Sequence, residues 1–324
     1  MINRALILCV LPVLLFLHAP VTGAEEGGGN PGRKAVLVTG ASSGIGRAIA
    51  ETLAANGYFV YAGARKEQDL AALDSIENMQ AIRLDVTVQE EIDAAVAAVM
   101  AEGRGLYGLV NNAGVLITGP SAEVDVDKVR WLFDVNVFGV YRVTQAFIPL
   151  IIESRGRIVN MGSIAGNIGI EFLGPYSMSK HAIEAYTDAL AAEMQRFGVH
   201  VSVIAPGDYA SKIWEGDIAR ARAAKIVDDD SPYAEDYRAW IELVAGLELK
   251  EPDEVAETAL KALSATNPSR RYLVVPNEGE MAWVTGSAIE RLAELNGRHA
   301  YSYSHEALTE MLHEAIARQA ASRR

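Results

Sequence analysis

The stretch "TGASSGIG", Thr39 to Gly46, decides the fold. It overlaps the end of the short apolar run "AVLVTG" (Ala35 to Gly40), which ends in a glycine as a buried parallel strand does, and leads into "GRAIAETLAANG" (Gly46 to Gly57), which has helical spacing and stops on a glycine. Strand, glycine-rich turn and helix in that order form a phosphate site. A helix N-terminus offers free backbone N–H groups and the positive end of its dipole. Glycines let the backbone turn tightly and approach a pyrophosphate without a Cβ in the way. The glycines are Gly40, Gly44 and Gly46, with Ser42, Ser43 and Ile45 completing the turn. Their spacing is Gly-x-x-x-Gly-x-Gly, not the Gly-x-Gly-x-x-Gly of the best-known dinucleotide fingerprint, so their position between first strand and first helix carries the assignment.

Outward from that turn, apolar runs alternate with helical patterns. "YFVYAGA", "AIRLDV", "YGLVNNAG", "GRIVNMGS", "VHVSVIAP" and "RRYLVVP" follow as strands, separated by amphipathic or alanine-rich stretches such as 89–101 and 177–197. Strands alternating with helices predict right-handed crossovers and a doubly wound parallel α/β sheet of Rossmann type, helices on both faces. The organisation predicted is residues 34–276 as one domain, a charged and aromatic insertion at about 207–250 that reads as a lid or binding loop, and a helical C-terminal extension at 277–324.

The second strand ends in "YAGAR". An acidic residue there usually takes the adenosine ribose hydroxyls. This chain has Ala64 and then Arg65. An arginine pairs with a 2′-phosphate, and the missing carboxylate removes a repulsion. The expectation is NADP(H) as the preferred cofactor and NAD(H) as the second.

Composition narrows the function. The formal net charge is −13, the wrong sign for a nucleic-acid partner, and a small molecule is expected instead. The single cysteine, Cys9, lies in the apolar run "ALILCVLPVLLFL" (Ala5 to Leu17). A mature domain without it has no disulfide, thiolate metal site or cysteine nucleophile, and no metal site is expected. Arg4, that apolar run and the small residues around Ala24 read as a signal peptide over 1–24, with 25–33 a flexible leader; the run is short for a bilayer span. Export is the first reading, membrane association through the same segment the second, and a cytoplasmic protein with a misassigned start the third.

Read together, "TGASSGIG", "LDV" (Leu84 to Val86), "NNAG" (Asn111 to Gly114), "VNVFG" around Asn136, "GSIAG" around Ser163, "YSMSK" (Tyr176 to Lys180) and "APG" (Ala205 to Gly207) stand in an order that resembles the short-chain dehydrogenase/reductase family over roughly residues 34–276. In flavour it is similar to the hydroxysteroid and retinol branch.

The resemblance implies an oxidoreductase interconverting a secondary alcohol and a ketone or aldehyde, with Asn136, Ser163, Tyr176 and Lys180 as the catalytic group. Tyr176 is the acid–base. A free tyrosine has a pKa of about 10, and Lys180 one helical turn on lowers it by favouring tyrosinate. Ser163 holds the substrate oxygen. Lys180 also binds the nicotinamide ribose, and Asn136 positions a proton-relaying water. Asp85 and Val86 correspond to adenine contacts, and Asn112, Ala113 and Gly114 to a cofactor-lining segment. Pro206 and Gly207 belong to the nicotinamide loop, in which Ser211 takes the place of a frequent threonine. Asp208 and Tyr209 depart from the usual pattern of that loop. Trp214 and Trp240 are expected as substrate walls, with a small apolar substrate and a homodimer or homotetramer. A sugar-nucleotide epimerase reaction and a non-enzymatic nucleotide sensor on the same fold are the alternatives.

Overall fold

The computed structural model describes residues 32–224, 227–228, 230–297 and 299–322. The N-terminal segment read as a signal or anchor lies outside them. The elements run β1 (Ala35–Val38), α1 (Gly44–Ala55), β2 (Phe59–Ala64), α2 (Glu67–Asp74), β3 (Met79–Arg83), α3 (Gln89–Ala101), β4 (Gly108–Asn111), α4 (Val126–Phe133), α5 (Val140–Glu153), β5 (Arg157–Met161), α6 (Gly174–Met194), β6 (His200–Pro206), α7 (Lys212–Ala224), α8 (Ala234–Ala245), α9 (Asp253–Ser264), β7 (Arg271–Val274), α10 (Glu278–Asn296) and α11 (His305–Ser322). All seven strands expected from the sequence form one parallel sheet in the order β3-β2-β1-β4-β5-β6-β7.

The strands are apolar throughout because both sheet faces are covered. In β1, Val36 and Val38 pack against Ile49 and Leu53 of α1 and Val255 and Ala259 of α9. Ala35 and Leu37 face the other way, into a core with Ile92 of α3, Phe147 and Ile151 of α5, and Leu190 of α6. The helix running through Val126–Glu153 has the length and hydropathy of a membrane span, but its residues Val143, Phe147 and Ile151 are fully buried in this core.

The chain winds one way from β1 to β3 and the other way from β4 to β7. The crevice where the direction reverses, at the carboxyl ends of β1 and β4, is where such sheets bind ligands. Two further devices shape it. Between α4 and α5, residues Asp134–Gly139 form a π-helical turn that contains Asn136, a local widening frequent at functional sites. Between β6 and α9 lie α7 and α8, and this segment shares a small core with Phe172, made of Val227, Ala234, Tyr237 and Ile241.

Candidate active site

Glycine geometry builds the floor of the crevice. Gly40 has φ +64, and a Cβ on it would lie 2.9 Å from Ala113 Cα. At Gly46 a Cβ would lie 2.3 Å from the Gly40 carbonyl and from Asn112 Nδ2. The "NNAG" segment is latched onto the end of β1. Asn112 Nδ2 donates to the Thr39 carbonyl at 3.0 Å, and the Asn112 and Ala113 amides both donate to Thr39 Oγ1 at 3.0 Å. The first turn of α1 contains no acidic residue and Ser43 makes no side-chain cap, so the N–H groups and dipole there are offered to an anion.

From this floor a cavity of about 350 Å³ continues across the carboxyl ends of the strands. Gly40, Ser42, Ser43, Gly44, Ile45, Gly46, Arg65, Asp85, Val86, Asn112, Ala113, Gly114, Pro206, Gly207 and Ser211 all line it, together with Ser163, Tyr176 and Lys180. Arg65 lies at the rim, its side chain 63% exposed, and Nη1 reaches Asp85 Oδ2 at 3.4 Å. Burial works against ionisation of Asp85, but bonds from Thr87 and the Arg65 charge prevail and hold its carboxyl below the usual range.

At the other end of the cavity, Pro175 opens α6 and sets Tyr176 in its first turn. Ser163 caps a single 3₁₀ turn, its Oγ accepting from the Ala165 amide at 3.1 Å, and its hydroxyl interacts with the Tyr176 phenol. Burial pushes the Tyr176 phenol up to about 12, against the bond from Ser163 and helped by the charge of Asp208. Burial pulls Lys180 down to about 8, with the Glu184 carboxylate opposing it. The expected lowering of the tyrosine by Lys180 is not realised in this arrangement. Lys180 Nζ lies 5.6 Å from the ring centroid and donates to the Met161 carbonyl at 2.9 Å, while desolvation dominates the phenol.

Asn136 is the one predicted catalytic residue that does not line the cavity. Its Oδ1 accepts from the Val115 amide at 2.8 Å, and its Nδ2 donates to the Val115 carbonyl at 2.9 Å and to Ser179 Oγ at 3.2 Å. The carboxamide therefore ties the loop after β4 to α6. Leu116, Ile170, Leu173, Ile213, Asp208 and Arg220 also line the cavity without having been foreseen. Trp214 lines it as expected. Trp240 stands behind it, 6.3 Å between ring centroids, in an aromatic group with Phe172 and Tyr237.

The ordered motifs and this geometry agree with the comparison to known proteins: the family model described as short chain dehydrogenase matches residues 34–220. The chain belongs to the short-chain dehydrogenase family. A 3beta-hydroxysteroid dehydrogenase of Caenorhabditis elegans is 39% identical over 63% of this chain and 58% of its own length. The chain thus spans less than two thirds of the first curated relatives it matches. Among solved structures, an actinorhodin polyketide ketoreductase with NADPH is 29% identical, covers 76% of this chain and 97% of its own, and has a TM-score of 0.63. A short-chain dehydrogenase/reductase from Burkholderia phymatum with NAD is 27% identical over 81% of this chain and 95% of its own, with a TM-score of 0.66.

Proposed function

We propose that the protein is an NADP(H)-dependent oxidoreductase that interconverts an apolar ketone or aldehyde with its alcohol, using Tyr176 as acid–base. The observation that carries this reading is that Ser163, Tyr176 and Lys180 share one cavity with the glycine turn at the N-terminus of α1. The α1 amides would hold the pyrophosphate of a nicotinamide dinucleotide, and the residues around Tyr176 and Lys180 would receive its nicotinamide end; when bound it would supply the hydride chemistry. A phenol pushed up to about 12 is protonated at neutral pH. It is the acid that carbonyl reduction requires, and Ser163 holds the same oxygen. The Lys180 ammonium counters the negative charge left when the phenol gives up its proton. Asn136 acts through others: it fixes the loop at Val115 and, through Ser179, the helix that carries Tyr176 and Lys180.

Arg65 and the absent carboxylate at Ala64 support NADP(H) over NAD(H), with NAD(H) the weaker cofactor. The substrate end is walled by Leu116, Ile170, Leu173, Ile213 and Trp214, which suits an apolar body of the kind the worm relative's name describes. The exposed Trp131, Phe138, Tyr141 and Met178 on the α4–α5 and α6 face give a second copy of the chain an apolar surface to dock on. Steady-state oxidation of NADPH against a panel of steroid, retinoid and aryl carbonyls tests the reading. Turnover of at least one class is expected, and none with any carbonyl overturns it in favour of a sensor.

A further inference from the structure

Asp208 is the residue of this cavity that the proposed reaction leaves without a task. It follows Pro206 and Gly207 at the end of β6 and lines the cavity together with Tyr176 and Ser163. The loop is fixed on both sides. The Gly207 amide donates to the Val274 carbonyl at 2.8 Å, and the Ala210 amide to the Lys250 carbonyl at 2.8 Å. The Asp208 amide donates to Glu280 Oε2 at 3.1 Å, and Glu280 is itself held in the first turn of α10 by Asn277, whose Nδ2 donates to Glu280 Oε1 at 3.1 Å.

The Asp208 carboxylate has no hydrogen-bond or ion-pair partner among the described residues. Among the described residues no cation comes within 4.0 Å of it, it accepts no hydrogen bond, and neither oxygen is both sealed from solvent and unsatisfied. Of the other cations lining the cavity, Arg65 pairs with Asp85, and Lys212 is exposed with no hydrogen bond or ion pair among the described residues. Lys180 donates to the Met161 carbonyl, and Arg220 to the Leu116 carbonyl and Asp217. Burial first, and then the charge of Glu280 from α10, push the Asp208 carboxyl up to about 6, and Asp208 acts in turn on Tyr176 from α6. A partly buried, unpaired carboxylate is favoured by a cation that joins it. Here the open side of that carboxylate is the cavity in which the carbonyl is reduced.

We infer that Asp208 is a specificity-determining residue that receives the ammonium group of an amino ketone, so that the preferred substrates carry an amine close to the reacting carbonyl on an apolar body. The inference rests on the reading of this cavity as a carbonyl-reduction site. Glu280 is the positioning residue: it holds the Asp208 backbone, and its charge makes a cation beside Asp208 more favourable. The hydride and proton steps are unchanged; the amine is recognised and not transformed.

The test compares isosteric pairs with the purified full chain and NADPH: α-aminoacetophenone against propiophenone, and β-aminopropiophenone against butyrophenone. The expected result is a kcat/KM about 10-fold to 100-fold higher for the amine of at least one pair at pH 7.5, the usual range for a charge-assisted hydrogen bond. Asp208→Asn brings that ratio to within about twofold of one, and the wild-type preference fades below about pH 6 as Asp208 protonates. Calorimetric titration with phenylethanolamine and phenylpropanol, which requires no reduction, shows the same preference and the same loss. Equal use of both members of each pair by the wild type overturns the inference and leaves the oxidoreductase reading intact, whereas reduction of neither member defeats that reading itself. An Asp208→Asn protein whose NADP⁺ to NADPH affinity ratio moves while its amine preference stays also overturns it, since the carboxylate then serves the cofactor.

Discussion

Lys180 Nζ stands 5.6 Å from the centroid of the half-buried Tyr176 ring and is itself buried, while its hydrogen bond goes back to the Met161 carbonyl at the end of β5. The pair is one turn apart on α6, yet it is the strand end that fixes where the ammonium sits. The charge is thereby placed beside the cavity without being neutralised by Tyr176, an arrangement that costs stability and suits a group meant to meet a ligand.

That cost is measurable. Lys180 has its pKa lowered to about 8, so below pH 8 the folded chain carries a buried charge that the unfolded chain solvates freely. Between about 8 and the unfolded value the folded form loses its proton first, and stability rises with pH; above both values the penalty is gone. Lys180→Met is therefore expected to stabilise the protein by on the order of 1–3 kcal/mol at pH 7, with the gain fading toward pH 10.5, while turnover collapses. Chemical denaturation at pH 7 and pH 10 checks both the sign and its fading.

On the proposed reading, Arg65 sets the choice of cofactor. Its guanidinium is exposed and bonds Asp85 at 3.4 Å, a weak contact that a 2′-phosphate can replace. Arg65→Asp should weaken NADPH binding about 10-fold to 100-fold with little loss for NADH. Fluorescence titration of both cofactors reads this directly, and an unchanged ratio rejects the assignment.

Much of this was legible in the chain. Buried parallel strands write themselves as continuous apolar runs, so all seven were visible, and the glycine turn was visible because Gly40 and Gly46 occupy positions where a Cβ collides with backbone. What escaped the sequence joins residues far apart in it. Asp208 meets Glu280, 72 positions on, and Thr118 meets Asp217, 99 positions on. No periodicity marks either pair, because each depends on how a loop or helical segment folds back. Asn136 shows the opposite limit. Its position was found, but its carboxamide is committed to Val115 and Ser179, and only coordinates reveal that.

The α7–α8 segment offers another prediction. Thr118 Oγ1 lies 2.6 Å from Asp217 Oδ2 and 2.8 Å from the Tyr237 hydroxyl, joining the loop after β4 to α7 and α8 at a fully buried point. Burial already raises the Asp217 carboxyl against the bonds from Thr118 and Arg220. Thr118→Val leaves it short of a donor and should cost about 1–3 kcal/mol. Because α7 carries Trp214, KM for the carbonyl should rise more than kcat falls. Thermal unfolding and steady-state kinetics on the same variant separate the two effects.

The proposal that Tyr176 delivers the proton is tested most closely by single-turnover oxidation of bound NADPH by a carbonyl substrate in the wild type and in Tyr176→Phe. A rate lower by about 10²–10⁴-fold is expected in the variant, with NADPH affinity preserved. A rate within about threefold of the wild type, against the range expected for acid–base catalysis, would contradict it.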